Sequence, residues 1–351
     1  MARNHAPIAA ISALLFAGCA AARTGGAQTP AIPPAGPSAT ARSLGVPSIA
    51  LPEAERRAPS PQGLASATMP AAGAPGGSHF IYTAQFYHND LGIYGQSHAL
   101  QLSFIESITQ GISQPQGTMA TVNGLWYVAN TGDSNVLVYK TAHGGPKGPV
   151  NTLSDPYQYP GNVDATTSGQ LVVVSNVTST AGAPGTVSVY LYGNLTPTYT
   201  LSFGSDMLQG VGIAIDRHDN CYWSFNDLST GVGSIVEFAN GCQAPGNLVV
   251  SNIQTAGGVT LDQHGNLYYV DQKVGIYKCS GVSNCQPLAT YFGDPVNVNF
   301  DEKQKHLWVA DASGYIDAID PRTGNLLSQT RAEGGSSDPP VGIAAAPGGG
   351  G

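Results

Sequence analysis

The residues of this chain whose types and spacing could do chemistry are mostly oxygen donors. Asn162 and Asp164 stand two apart in the run Asn162-Val163-Asp164-Ala165, and Asn297 and Asn299 stand two apart in Val296-Asn297-Val298-Asn299. Residues two apart share one face of an extended strand. Each pair therefore presents two polar side chains to one side of an otherwise apolar segment. One carboxylate and three amides would suit a hard cation such as calcium; the plainer reading is a wet surface hydrogen-bonded to water. No other cofactor is expected. A second group lies in long loops: His88, Asp90, Tyr157 and Tyr159. Loops carried on a rigid scaffold commonly bind, so these four are candidate ligand contacts. His218, His264 and His306 recur, but in or beside turns, which makes them turn residues rather than a triad. No Ser-His-Asp or Cys-His arrangement can be assembled, so no catalytic residue is assigned.

Four cysteines fall in the same part of the chain. Cys279 and Cys285 are close in sequence around Ser280-Gly281, as a loop-closing bridge would be, which leaves Cys221 with Cys242. Three connectivities are open to four cysteines, and this one is preferred. A zinc site would need paired C-x-x-C units or neighbouring histidines, and neither is present.

The elements that must position these residues announce themselves as a repeat. Gly210 to Trp223, Gly257 to Asp271 and Val296 to Asp311 each read as a short apolar strand, a polar turn with Asp, Gly or Asn, and an aromatic-rich second strand. Gly117 to Asn130 and Asn162 to Asn176 are looser copies, and Val341-Gly342-Ile343-Ala344 is a sixth first strand. The aligned positions Gly117, Asn162, Gly212, Gly258, Asn297 and Gly342 recur at intervals of 39 to 50 residues. A period near 45 with four short strands per unit is the mark of a propeller blade. The last copy has only its first strand. His79 to Gln85 reads as the missing second strand, and Gln85 lies 45 residues before Asn130. The expected fold is therefore all-β: a six-bladed β-propeller over residues 78–347, closed by pairing the C-terminal strand with the N-terminal blade. Closure removes the exposed sheet edges that invite aggregation.

Two recurrent features then take structural meanings. The second strands end in Gln85, Asn130, Asn176, Asn226, Asp271 and Asp311, side chains suited to satisfying backbone groups of nearby loops. Tyr82, Tyr127, Trp223, Tyr268 and Trp308, with Val173 as the exception, are read as blade-to-blade packing.

The pattern resembles the NHL-repeat family of six-bladed, TolB-like propellers, whose hallmark is a Gly-Ile-Ala-hydrophobic-Asp strand followed by a Gly-Asn-Leu-Tyr-Val strand. Gly212 to Asp216 and Gly265 to Asp271 carry that likeness, while the first, second and sixth blades match loosely. Such a repeat implies architecture and leaves function open. The gluconolactonase and paraoxonase relatives of this architecture bind a divalent metal at the channel. That likeness implies that Asn162, Asp164, Asn297 and Asn299, on channel-lining first strands, are the metal candidates here, although no Glu accompanies them.

The N-terminal part bears on compartment. Arg3 and the apolar run Ala6 to Gly18 fit a signal peptide over residues 1–19 and are too short for a spanning helix. Leu15-Phe16-Ala17-Gly18-Cys19 resembles a bacterial lipobox, with Phe16 departing from the usual Leu. That implies lipidation of Cys19 and a membrane held through a lipid anchor only. Residues 20–77 are rich in Ala, Pro, Gly and Ser and read as a disordered tether; residues 348–351 are a Gly tail.

The chain carries a formal charge of −8, and from Ser78 onward nine Lys plus Arg face twenty Asp plus Glu. No basic stripe appears, which argues against nucleic acid as a partner. The expectation is an exported propeller of the cell envelope, or a periplasmic or secreted one, that binds or scaffolds a protein, peptide or glycan. The alternative is a metal-dependent hydrolase or lactonase with its site in the channel. A lyase acting on cyclic peptides or lactones would need a channel histidine that the first strands do not supply.

Overall fold

The computed structural model describes residues 79–346 apart from 97–99, 121–123, 142–147, 167–168, 180–181, 205–206 and 302. The signal peptide, Cys19, the tether and the Gly tail lie outside the described residues. Six four-stranded antiparallel sheets are arranged as the blades of a six-bladed β-propeller. Named from the axis outward, blade 2 is Pro115–Ala120, Leu125–Asn130, Asn135–Lys140 and Asn151–Ser154. Blade 3 is Gln158–Ala165, Leu171–Ser179, Val187–Leu191 and Tyr199–Leu201. Blade 4 is Leu208–Ile215, Cys221–Asp227, Val232–Phe238 and Gly246–Ile253. Blade 5 is Ala256–Leu261, Leu267–Asp271, Gly275–Ser280 and Ser283–Ala289. Blade 6 is Pro295–Phe300, Leu307–Asp311, Tyr315–Ile319 and Leu326–Arg331. Blade 1 draws on both ends of the domain: Pro340–Ala346 is its inner strand, followed by His79–Gln85, Asp90–Gln96 and Leu102–Ile108. Phe80 pairs with Ala346 and Ala84 with Gly342 across that junction.

The alternation of side chains explains the packing between blades. On the second strands, Tyr82, Tyr127, Val173, Tyr222, Tyr268 and Trp308 each pack into the apolar cluster shared with the following blade. In blade 4 the equivalent residue is Tyr222, not Trp223. Gly212 pairs with Ser224 and Ala214 with Tyr222, after a bulge between Gly210 and Gly212. Trp223 points the other way, into the cluster with Val173 of blade 3, and its indole N–H donates to the Ser175 hydroxyl at 2.9 Å. Buried rings of this size dominate core energetics, and truncating one costs about 3–5 kcal/mol.

Both disulfides join the expected partners, Cys221 with Cys242 and Cys279 with Cys285. They lie at the same end of their blades, beside the turns that follow the first and third strands.

Candidate functional site

The inner strands enclose a cavity of about 530 Å³ on the propeller axis. Its geometry follows from the six aligned positions of the repeat. A Cβ on Gly117 would lie 2.5 Å from the Asn162 Cα, one on Gly212 would lie 2.9 Å from the Gly258 Cα, and one on Gly258 would lie 3.0 Å from the Asn297 Cα. Real Cβ atoms do not approach backbone so closely, so these positions stay glycine where neighbouring inner strands touch. Asn162 and Asn297 complete the ring, three blades apart on opposite sides of the axis. Every residue lining the cavity belongs to this ring or follows it, in its strand or in the turn after that strand. The cavity is therefore a cup: its floor is the Gly/Asn ring, and its mouth is set by the turns joining first to second strands.

All four metal candidates line this cup. Asn162 is 5% exposed, and its side-chain oxygen accepts the Val163 N–H at 2.8 Å. Asp164 accepts the Ala165 N–H on one oxygen and the Ile215 N–H of blade 4 on the other, both at 2.7 Å. It thus caps a free edge group of the next inner strand. Its position inside the channel pushes its pKa up to about 7, against the two N–H donors that hold it down. Asn299 donates toward the Met119 sulfur at 3.3 Å and the Ile343 carbonyl at 3.4 Å. Asn297 is 6% exposed. Oxygen donors are the right type for calcium, but a calcium site takes six to eight of them. Here the lone carboxylate and one of the amides already serve backbone N–H groups. No group of three or more His, Cys, Asp or Glu side chains is placed to hold a metal among the described residues.

The mouth carries Asp216, Asp219, Asp262 and Asp301, with Arg217 as the one cationic side chain lining the cup among the described residues. Three of these carboxylates are also turn devices. Asp216 accepts the His218 and Asn220 N–H groups, and Asp262 accepts those of His264 and Asn266. Asp301 accepts the Lys305 N–H and meets His306 Nδ1 at 2.6 Å. His218 and His264 are exposed on these turns. The acidic rim went unremarked in the sequence because the same Asp residues were read only as turn chemistry.

The loop residues lie at the opposite end. His88 and Asp90 meet around Asp338, a residue not singled out from sequence. Asp338 is fully buried and accepts the Tyr87 and His88 N–H groups at 3.1 Å, and its other oxygen lies 3.1 Å from His88 Nδ1. Burial raises Asp90 to about 6, with Asp338 pushing it further up and His88 drawing it down. Away from that cluster, Tyr157 sits in blade 3's entry loop and Tyr159 lies in its inner strand, not in a loop as expected; Tyr157 is 78% exposed and adopts a left-handed φ of 67°. Beside them Asp155 is buried and takes the Ser188 hydroxyl at 2.8 Å, and burial raises its pKa to about 6.

Most of the second-strand termini satisfy loop backbone groups, whereas Asn176 donates to the Thr186 and Ser188 hydroxyls. Asp271 accepts the Gln254, Thr255 and Lys273 N–H groups, and Asp311 those of Gly293, Asp294 and Ser313. Asn130 accepts the Ser113 N–H, and the Gln85 amide donates to the Glu333 and Asp338 carbonyls. Each pins the loop leading into its own blade's inner strand. Asn226 instead accepts the Ala256 N–H of the next blade.

No protein-family model and no curated protein matches this chain. Solved structures do. A protein of Bacteroides fragilis with a provisional 6-phosphogluconolactonase designation superposes with a TM-score of 0.54 at 13% identity, over 78% of this chain and 99% of its own. Regucalcin of Agrobacterium tumefaciens, a calcium-binding protein, gives 0.49 at 15% identity over 63% and 75%. A functionally unknown protein of Desulfotomaculum acetoxidans gives 0.46 at 16% over 73% and 79%. At such identities the likeness is one of fold alone.

Proposed function

We propose that this chain is an exported, lipid-anchored binding propeller of the cell envelope, which takes a small polar ligand in its axial cup and presents its opposite face to a protein, peptide or glycan. The observation that carries this reading is the cup itself. Its volume falls in the range of small-molecule sites, and its walls combine apolar strand residues with a few convergent polar groups. The Asp164 oxygens each hold a backbone N–H, a role of positioning and charge rather than of proton transfer. The acidic balance of the domain, with no basic stripe, supports a partner other than nucleic acid.

A thermal-shift screen of the full-length protein against small polar molecules tests the cup. Ligands that raise the melting temperature are expected to lose their effect in Thr260→Phe, which adds a ring to the cup wall. Ligands that bind that variant equally well would place the site elsewhere. Fractionation of cells tests the anchor: Cys19→Ala is expected to move the protein from the membrane to the soluble fraction, and an unchanged membrane association would remove the lipid from the reading. The alternative, a metal-dependent hydrolase or lactonase, would be favoured by near-stoichiometric bound metal and a melting temperature that falls with chelator and returns with calcium.

A further inference from the structure

We infer that the seam between blades 6 and 1 holds a hard divalent cation of the calcium class, bound by oxygens of Thr83, Gln85, Asp90 and Asp338. This site lies at the loop end, outside the cup, and does not depend on what the cup takes. Gln85 and Asp90 face each other as a cross-strand pair in blade 1, and Thr83 pairs with Gly92 two residues along. Residues two apart share a face, so these four positions look the same way. It is the face of Ile81, which packs against Trp308 of blade 6. Over Gly92 the oxygens converge. A Cβ there would stand 2.6 Å from Thr83 Oγ1 and 3.0 Å from Gln85 Oε1. Asp338 joins from the segment that leads into the closing strand, with one oxygen held by the Tyr87 and His88 N–H groups.

What marks this as a site is an excess of acceptors. Gln85 Oε1, Asp90 Oδ1 and Asp338 Oδ2 are sealed from solvent, and none makes a hydrogen bond of normal geometry. Gln85 is 1% exposed, and its amide nitrogen donates to the Glu333 and Asp338 carbonyls, which leaves its oxygen toward Gly92. Thr83 Oγ1 is buried with them, beside the Tyr94 hydroxyl. Buried acceptors without donors are costly, and native structures supply them with a protein group, a water or an ion. The two carboxylates also act against each other: burial and Asp338 push the Asp90 pKa up to about 6. Water would satisfy the lone pairs and leave the repulsion, whereas a divalent cation answers both. His88 Nδ1, 3.1 Å from Asp338 Oδ2, offsets part of the charge from the solvent side, where His88 is 60% exposed. A sealed set of direct oxygen ligands suits calcium, since magnesium keeps several of its waters. Asp90 is only half-buried, which leaves an open side for the water that completes the shell. The bound ion ties the N-terminal hairpin to the segment entering the closing strand.

Tyrosine-sensitised terbium emission from the full-length protein tests this, because terbium replaces calcium at oxygen sites and the Tyr94 ring stands beside Gly92. Emission is expected to rise on binding and to be quenched by excess calcium, with magnesium a far weaker competitor. Asp90→Asn is expected to weaken terbium by about tenfold or more, and Thr83→Val, which keeps the hydrogen bonds between hairpin and closing segment, by less. Asp164→Asn in the cup should leave terbium affinity unchanged. Melting curves show that each variant folds, and calcium should raise the melting temperature of the parent but not of Asp90→Asn. Absence of calcium-reversible emission would overturn the proposal, as would equal terbium affinity in the parent and both folded seam variants. Loss of emission in Asp164→Asn with retention in Asp90→Asn would also overturn it, by moving the cation to the channel and favouring the metal-dependent alternative.

Discussion

The two ends of the inner strands use the same residue types to opposite effect. At the loop end, Asp271, Asp311, Asn130 and Gln85 are buried and reach across to hold the chain entering their own blade. At the turn end, Asp216, Asp262 and Asp301 hold their own turns and, for Asp216 and Asp262, the hydroxyl of a tyrosine in the adjoining strand, and they keep a face on the cup. What secures the turn end is covalent: both disulfides lie there, in blades 4 and 5. Carboxylates that are released from long-range structural work are free to supply charge to a mouth. Those that carry it are sealed from solvent.

This contrast can be broken in graded steps. Removing the Cys221–Cys242 bridge, which closes a separation of 21 residues, is expected to cost about 3 kcal/mol; losing Cys279–Cys285, with a separation of 6, about 2 kcal/mol. Denaturant melts of the paired Cys→Ala variants would measure both, and equal costs would deny the loop-length account. Asp311→Ala strands the N–H groups of Gly293, Asp294 and Ser313, and a loss of about 3 kcal/mol is expected. Asp262→Ala at the exposed turn should cost about 1 kcal/mol, because water can replace the carboxylate. Comparable losses for the two would erase the distinction between the ends. Gly258→Ala should cost about 2 kcal/mol by pressing on Asn297, and it should also disturb the floor of the cup.

The last test concerns slope with pH. Asp317 in blade 6 is fully buried, neither oxygen makes a hydrogen bond of normal geometry, and burial raises its pKa to about 7. Its folded form keeps the proton that the unfolded chain releases from about pH 4 upward. Stability should therefore fall as pH rises from about 4 to about 7, and the loss is complete above that range. Asp317→Asn is expected to lack this component, so it should be more stable than the parent at pH 8 and similar at pH 4. Identical pH profiles would show that the carboxyl finds a partner in solution.

The blades could be read from sequence because each repeats a strand, a turn and an aromatic strand, and periodicity survives local irregularity. The exchange of Tyr222 for Trp223 could not. Gly210 pairs with Phe225 where the equivalent Ala256 pairs with Asp271, so counting back from Asn226 lands one residue off, and adjacent aromatics give no sign of which faces forward. Asn162, Asp164, Asn297 and Asn299 were placed on the channel because polar residues interrupt apolar strands there. Which end of the channel opens was invisible, since it depends on how closely glycine backbones approach across neighbouring blades. Asp338 was missed because its partners Tyr87 and His88 lie some 250 residues away along the chain.

That separation has a temporal consequence. The innermost strand of blade 1 is Pro340–Ala346, and it pairs with His79–Gln85 near the start of the domain. A chain delivered N-terminus first, from a ribosome or through a pore, must hold the edge of His79–Gln85 unpaired until Pro340–Ala346 emerges. Completion of the ring thus signals that all six blades have been delivered. A product truncated before residue 340 would display a bare strand edge, the kind of feature by which unfinished chains stick to one another and become substrates for proteases.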